Sequence, residues 1–171
     1  MAHARRIDYA GHKIGFAQFM GLVAETTQTD CSTTYVLDTD EDEIVIYQEA
    51  TDVTTAGVYD LQYQLPYDFY GLIGASDDVS LRAIQSSGGT DMTITVEVYD
   101  NAGSNISDAS IATTSLTASW ATYDCALTNP DSDASLRGGD HIILRITTAG
   151  VHNDDDCKIT IPKIKVYLYY N

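Results

Sequence analysis

Aspartate residues cluster in two short segments of this sequence, where their carboxylates are close enough along the chain to share a cation. The segments contribute Asp38, Asp40 and Asp42, and Asp154, Asp155 and Asp156. Calcium prefers oxygen ligands, which neighbouring loops can supply together. These loops are therefore candidates for a calcium-type site, and we expect no other cofactor. The alternative is that the carboxylates only solvate the loops and keep strand edges from associating.

The first cluster resembles the calcium-binding loop of an EF-hand, because Glu49 stands where that loop ends in a glutamate. Two departures exclude a true EF-hand. Glu43 occupies the position where glycine must make a sharp turn, and the apolar run 44–47 predicts a strand where the loop should continue. Only a weaker calcium site is left as an interpretation of this segment.

Residues with nucleophilic side chains show no catalytic pattern. The sequence has three cysteines and four histidines, but it lacks a Gly-x-Ser-x-Gly elbow, a phosphate-binding glycine-rich loop and a His-Glu-x-x-His motif. We therefore predict that the protein is not an enzyme. Cys31, Cys125 and Cys157 lack CxxC spacing, which favours buried thiols, although a disulfide between Cys125 and Cys157 stays open.

Trp120 and Tyr123 could form an exposed platform for a sugar, because aromatic rings offer broad apolar faces. However, Trp120 alternates with Ala118 and Thr122 in a strand-like run, as a core residue would. The pattern therefore favours a core position for Trp120 over an exposed platform.

Charge is distributed unevenly along the chain. The formal net charge is −16, yet Arg5, Arg6 and Lys13 precede a long stretch, residues 14–81, without lysine or arginine. Such acidity argues against a nucleic-acid partner, which would need a basic surface. A basic segment ahead of an acidic body predicts an N-terminal arm that contacts an acidic neighbour. The residues expected to make that contact are Arg5, Arg6, Lys13, Ile14, Phe16 and Phe19.

The N-terminal region lacks the features of an export signal or a membrane span. Gly15, Gln18 and Gly21 interrupt its mildly apolar part, and no run approaches the roughly 20 apolar residues that a membrane-spanning helix needs. We therefore expect no membrane partner. Because residues 1–33 follow neither strand nor helix periodicity, we interpret them as an extended arm that packs outside its own domain, with a short helix over 14–22 as the alternative.

From residue 34 onward the sequence alternates as β-strands do. In the run 57–65, Tyr59, Leu61 and Tyr63 are separated by polar residues, which predicts a strand with one buried and one solvated face. Further strands are expected at 35–37, 44–48, 69–75, 79–85, 92–98, 120–127, 141–146 and 158–170, with a weak strand within 104–115. The pattern predicts a single domain over 34–171, an all-β antiparallel β-sandwich with jelly-roll-like connections.

Two segments resemble a known group of proteins. One is the run 57–71 followed by 98–103, and the other begins at Trp120, continues through Gly139-Asp140 and closes on 164–170. Together they resemble the single jelly-roll structural proteins of tailed bacterial and archaeal viruses, which include capsid decoration and minor capsid components. The resemblance implies no catalytic residues. It implies self-association, with a trimer favoured, and binding to the major capsid protein or other virion subunits.

The first functional hypothesis is therefore a virion structural protein that decorates a capsid and is synthesised in the host cytoplasm without a signal peptide. Two rival hypotheses stay open. A carbohydrate-binding jelly-roll module of a host-recognition fibre would present exposed aromatic residues. A calcium-stabilised filament or surface-layer subunit would use the acidic loops to bind cations.

Overall fold

Strands make up all of the regular structure in the part of the chain that the computed structural model describes, residues 13–26, 31–38, 43–50, 57–86, 93–106, 111–127, 136–149 and 156–169. In chain order they are β1 (Lys13–Phe16), β2 (Gln18–Thr26), β3 (Cys31–Asp38), β4 (Glu43–Ala50), β5 (Gly57–Gln64), β6 (Phe69–Gly71), β7 (Val79–Ser86), β8 (Thr93–Tyr99), β9 (Ile111–Ser115), β10 (Ala121–Cys125), β11 (His141–Ala149), β12 (Asp156–Thr160) and β13 (Lys163–Leu168).

The strands form two antiparallel sheets that pack face to face. The smaller sheet has five strands in the order β2-β5-β11-β8-β9. The larger sheet has eight, with the path β1-β13-β7-β12-β4-β3 and with β10 paired to β7 and β6 paired to β13. The chain passes repeatedly from one sheet to the other, as jelly-roll wiring requires. The predicted all-β, jelly-roll-like antiparallel sandwich is therefore confirmed.

Alternation along the strands builds the core between the sheets. Tyr59, Leu61 and Tyr63 of β5 are buried and face Leu81 and its neighbours from the larger sheet. Burying a side chain of this size contributes about 1.5–3 kcal/mol. The Tyr63 hydroxyl donates a hydrogen bond of 2.6 Å to the carbonyl oxygen of Pro162, so a buried polar group is satisfied by the opposite sheet.

The last predicted strand, 158–170, is divided into β12 and β13 by Ile161 and Pro162. Proline has no N–H group to donate to a ladder, so a strand interior is a poor place for it. β12 therefore pairs with one half of β7 and β13 with the other half, where Lys163 lies opposite Ser80.

Residues 13–26 are part of the sandwich, so the prediction that residues 1–33 form an arm packed outside it is wrong for this segment. β1 pairs with β13 and β2 pairs with β5. Phe19, expected to contact another subunit, packs against Tyr63 of its own core with the ring centroids 5.4 Å apart. The helix considered for 14–22 is likewise wrong, because both segments pair as strands.

Apolar and polar residues do not alternate along β2, because its pairing with β5 is irregular. Its register with β5 shifts between Phe19 and Gly21 and again between Leu22 and Ala24. Each such shift places an extra residue in one strand and moves the following side chains to the other face. The sandwich therefore extends N-terminally beyond the predicted boundary at residue 34, while Arg5 and Arg6 lie outside the described residues.

Candidate functional site

A groove of about 500 Å³ lies on the outer face of the smaller sheet. Three neighbouring strands, β5, β11 and β8, form its floor, and the turn that follows β8 forms one rim. The lining residues are Asp60, Gln62, Tyr99, Asp100, Asn101, Gly103, His141, Ile143 and Arg145.

The sequence of β11 shows why these side chains face outward. Ile142, Leu144 and Ile146 are fully buried in the core. Successive side chains of a strand point to opposite faces, so Ile143 and Arg145 must project away from the core and into the groove. The strands on either side alternate in the same way.

Strand register then brings residues from distant parts of the chain into contact. The cross-strand rows are Asp60–Arg145–Glu97 and Gln62–Ile143–Tyr99. Directly opposed residues in antiparallel strands have their Cβ atoms about 4.5–5.5 Å apart. An arginine is therefore placed between two carboxylates, and an isoleucine between an amide and a phenol ring.

The central pair of the groove is an ion pair between Arg145 and Asp60. The Arg145 Nε donates to Asp60 Oδ1 at 2.7 Å and the Nη2 donates to Oδ2 at 2.8 Å. The hydrogen bonds to Asp60 raise the pKa of Arg145 above its ordinary value, against the opposing effect of burial. A two-point contact of this kind fixes the orientation of the guanidinium as well as its charge.

The ring of Tyr99 is fixed from two directions. The guanidinium carbon of Arg145 lies 5.3 Å from the ring centroid, and the Tyr99 hydroxyl donates to Glu97 Oε2 at 2.9 Å. Asn105 donates from Nδ2 to the other Glu97 oxygen at 3.3 Å. Burial, assisted by the hydrogen bond to Glu97, raises the pKa of Tyr99, so the phenol is protonated at neutral pH.

The rim is a rigid turn centred on Asp100. This buried carboxylate accepts hydrogen bonds through Oδ1 from the backbone N–H groups of Ala102, at 2.9 Å, and Ser104, at 2.8 Å. Gly103 has a φ of +83°, which residues with a Cβ rarely adopt. The turn holds the exposed Asn101 at the edge of the groove.

These features make the groove a binding surface with preset geometry. The ion pair, the phenol and the turn are each held by hydrogen bonds within the protein, so little reorganisation is needed before a ligand binds. Gln62, Asn101 and His141 add amide and imidazole groups, which can donate or accept hydrogen bonds. Ile143 and the Tyr99 ring provide apolar contact area beside them.

The predicted calcium site falls mostly outside the described residues. Asp40, Asp42, Asp154 and Asp155 are not described, and Asp156 is described only as the first residue of β12. Within the described ranges, no group of three or more His, Cys, Asp or Glu could hold a metal ion. The calcium site therefore stays a prediction.

Asp38 is the one member of these clusters whose side chain is described. It is buried at the end of β3 and accepts a hydrogen bond from Lys158 Nζ at 2.7 Å. The Asp38 carboxylate is therefore already paired with Lys158 across the larger sheet.

Trp120 and Tyr123 lie on opposite faces of the larger sheet, and the expectation that Trp120 faces the core is wrong. Tyr123 and Cys125 are buried in β10, so residues at odd spacing from them must point outward. Trp120 is half-buried on the outer face, where the guanidinium carbon of Arg82 lies 5.3 Å from its ring centroid. For the same reason the two rings cannot form one platform.

The structure also places two of the three cysteines and one exposed tyrosine. Cys125 and Cys157 are buried thiols and form no disulfide. Tyr67 is 85% exposed, and no pattern in the sequence distinguishes it from the buried tyrosines. Its ring lies so close to Gly139 that a Cβ there would be 3.0 Å from it.

Comparisons with known proteins support no family assignment. No protein-family model matches the sequence, and no curated protein matches it. No helix with the length and apolarity to cross a membrane occurs in the described part of the chain.

Several solved structures are similar to the chain at low identity. A family 11 carbohydrate-binding module from Clostridium thermocellum, solved with a β-1,3-1,4-mixed-linked tetrasaccharide, has a TM-score of 0.49 at 12% identity, covering 91% of this chain and 98% of that one. A family 61 carbohydrate-binding module with β-1,4-galactotriose gives 0.48 at 12% identity, covering 86% and 88%. A xylan-binding module of family 15 gives 0.48 at 14% identity, covering 94% and 99%. Similarities at this level do not bear on the ligand of the present chain, and the fold described above rests on its own sheets.

Proposed function

We propose that the protein binds a neutral oligosaccharide in the groove over β5, β11 and β8. The observation that carries this proposal is the lining, in which planar polar side chains are held beside an aromatic ring and an apolar floor. Sugar hydroxyls are donors and acceptors at once, and they suit amide, carboxylate and imidazole partners. The volume of about 500 Å³ is within the range of about 300–1,000 Å³ that small-molecule sites occupy.

The charges of the groove favour a neutral ligand over an acidic one. The positive charge of Arg145 is matched by Asp60 at hydrogen-bond distance, while Glu97 and Asp100 add negative charge beside it. An anionic sugar would meet net repulsion in this site, in a chain whose formal charge is −16. Uncharged sugars avoid that cost and can still use Gln62 and Asn101.

A calorimetric titration tests the proposal directly. The probes are neutral oligosaccharides that differ in sugar and linkage, namely a galactotriose, a xylo-oligosaccharide and a mixed-linkage tetrasaccharide. We expect saturable binding of at least one probe and none of its uronic-acid counterpart. The absence of binding to every neutral probe, or tighter binding of the acidic sugar, would overturn the proposal.

A matched pair of variants locates the binding to the groove. Arg145→Gln removes the two-point contact with Asp60 and the contact with Tyr99, so we expect roughly tenfold weaker sugar binding. Arg137→Gln makes the same substitution at an exposed arginine outside the groove and should bind as the unmodified protein does. Equal loss of sugar affinity in both variants would show that the sugar binds outside the groove, or that its binding depends only on the total charge of the protein.

Self-association, which the virion hypothesis implies, is a second proposal, and a different feature of the molecule supports it. Ile14 and Phe16 of β1 are 55% and 54% exposed, and among the described strands β1 pairs only with β13. An edge strand with exposed apolar side chains favours association with another copy of the chain. Self-association predicts an oligomer in sedimentation that dissociates in the variant Phe16→Asp, whereas a monomer at all concentrations would contradict it.

A further inference from the structure

Tyr67 has the most exposed of the large apolar and aromatic side chains in the described part of the chain, with 85% of its surface accessible to water. It lies in the turn between β5 and β6. Exposing an aromatic ring to water costs free energy that burial would recover. A ring that the fold holds away from its core is therefore a candidate for contact with a ligand.

Hydrogen bonds fix the backbone on both sides of Tyr67. The Phe69 N–H donates to the carbonyl oxygen of Pro66 at 2.9 Å, which closes the turn on itself. The Gly139 N–H donates to the carbonyl oxygen of Leu65 at 3.0 Å, which ties the turn to the segment before β11. A ligand would therefore meet a ring whose backbone is already in place, so binding costs less conformational entropy.

Two glycines allow Tyr67 to approach the start of β11 closely. A Cβ on Gly138 would collide with the carbonyl oxygen of Tyr67, and a Cβ on Gly139 would lie 3.0 Å from Cε1 of its ring. Gly139 also has a φ of +89°, which residues with a Cβ rarely adopt. The Gly138-Gly139 pair therefore makes room for the turn and holds the ring over Gly139.

Hydrogen bonding and register connect this ring to the end of the groove. The carbonyl oxygen of Gly139 accepts a hydrogen bond from Gln64 Nε2 at 3.3 Å. Because Tyr63 is buried, Gln64 faces outward, and its cross-strand neighbour is His141. His141 lines the groove. The Tyr67 ring therefore lies next to the row of outward-facing residues at which the groove ends.

The spacing of the strand residues gives the groove a length. Its floor along β11 is formed by Arg145, Ile143 and His141, and each is separated from the next by two residues, roughly 7 Å. The floor therefore extends over roughly 14 Å, and Tyr67 lies beyond His141. One sugar ring cannot reach from Arg145 to Tyr67, whereas an extended chain of several linked rings can.

We propose that Tyr67 is the end subsite of the groove, where its ring stacks against one pyranose of an extended oligosaccharide. The inference rests on the proposed function and adds a ligand class to it, namely neutral chains of several linked pyranose rings. The ring that reaches Tyr67 must present a flat face of C–H groups, because the face of a tyrosine ring offers broad apolar contact area.

The length dependence of sugar binding tests the subsite. The probes are the three kinds of neutral oligosaccharide named above, each as a series from the disaccharide to the hexasaccharide, in calorimetric titrations. We expect the affinity of the unmodified protein to rise with length until the chain reaches Tyr67. The variant Tyr67→Ala should bind the short members of the series unchanged and the long members roughly five- to tenfold more weakly.

Tyr67→Phe is the matched control, because it keeps the ring and removes only the hydroxyl group. It should retain the length dependence of the unmodified protein. If Tyr67→Ala has the affinity of the unmodified protein at every length, or loses the same factor at every length, the end subsite is overturned and the groove stands. If the unmodified protein binds no member of any series, the groove is overturned and the subsite with it.

Photochemically induced nuclear polarisation tests the subsite in the unmodified protein. A photoexcited flavin polarises the ring protons of tyrosines that it can touch, so Tyr67 should give a strong signal. Tyr169, which is 43% exposed near the end of the larger sheet, serves as the internal reference. The hexasaccharide should suppress the Tyr67 signal and the disaccharide should not. A Tyr67 signal that persists when the groove is saturated with hexasaccharide would overturn the proposal.

Discussion

Arg145 and Arg82 occupy comparable places on the two outer faces of the sandwich, and their surroundings differ. Each projects outward from a strand with buried neighbours, and each guanidinium carbon lies 5.3 Å from an aromatic ring centroid. The cross-strand neighbour of Arg145 is the carboxylate of Asp60, whereas that of Arg82 is the hydroxyl of Thr122. The comparison shows that strand register, rather than residue type, decides which side chain lies directly opposite an outward-facing arginine.

Both outer faces depend on the core between the sheets, so a core substitution should have the largest effect on the stability of the protein. Leu144 is fully buried beneath the groove, and Leu144→Ala should lower the free energy of unfolding by about 2–5 kcal/mol. Denaturant unfolding measures this loss. Thr147→Ala, on the outer face of the same strand, should cost less than about 1 kcal/mol. Equal losses would mean that Leu144 is not part of a packed core.

The larger sheet has a buried titratable group that a pH series can test. Asp78 lies immediately before β7 and is fully buried. Its Oδ2 accepts hydrogen bonds from the backbone N–H groups of Gly74, at 2.8 Å, and Leu127, at 3.2 Å. No donor among the described residues reaches Oδ1. Burial raises the pKa of Asp78 above its ordinary value of 3.8, because the charged form loses its hydration.

The sign of the pH effect follows from that shift. The folded protein keeps the Asp78 proton to a higher pH than the unfolded chain does, so the stability it contributes is present below the ordinary pKa and is lost as pH rises through the raised one. Asp78→Asn cannot titrate. The unfolding free energy of the unmodified protein minus that of the variant should therefore fall with rising pH. A difference that rises with pH would contradict the assignment.

The smallest expected effect isolates one hydrogen bond in the groove. Tyr99→Phe removes the contact with Glu97 Oε2 and keeps the aromatic ring, so the unfolding free energy should fall by only about 0.5–1.5 kcal/mol. Sugar binding should weaken less in Tyr99→Phe than in Tyr99→Ala, because the ring provides the apolar contact. Equal weakening in both variants would show that the hydroxyl, and not the ring, makes the contact.

Regular alternation made much of the sandwich predictable from the sequence. The run 57–65 was expected to be a strand because its apolar residues recur at every second position, and β5 occupies 57–64. The segment 13–26 was missed because two register shifts in β2 interrupt that period. The alternation of Trp120 with Ala118 and Thr122 does not show which face of the strand is buried, and the buried Tyr123 puts that whole set on the outer face.

The groove itself was not predictable, because its residues come from parts of the chain that only register brings together. Asp60, Glu97 and Arg145 are far apart in the sequence, and no local pattern shows which strands are neighbours. One signal was present: Arg145 interrupts the apolar run that begins at Ile142. A charged residue within a strand of this kind must lie on an outer face and requires a partner, and that reasoning points to a polar site on the face.

Amide chemical-shift mapping with the oligosaccharide that binds best in calorimetry tests the central claim most directly. If the groove holds the sugar, the shifted signals should belong to Gln62, Tyr99, Asn101, His141 and Arg145, while those of Arg82, Thr122 and Lys163 stay in place. Shifts concentrated on the outer face of the larger sheet, or spread evenly over the protein, would contradict the assignment of the groove as the binding site.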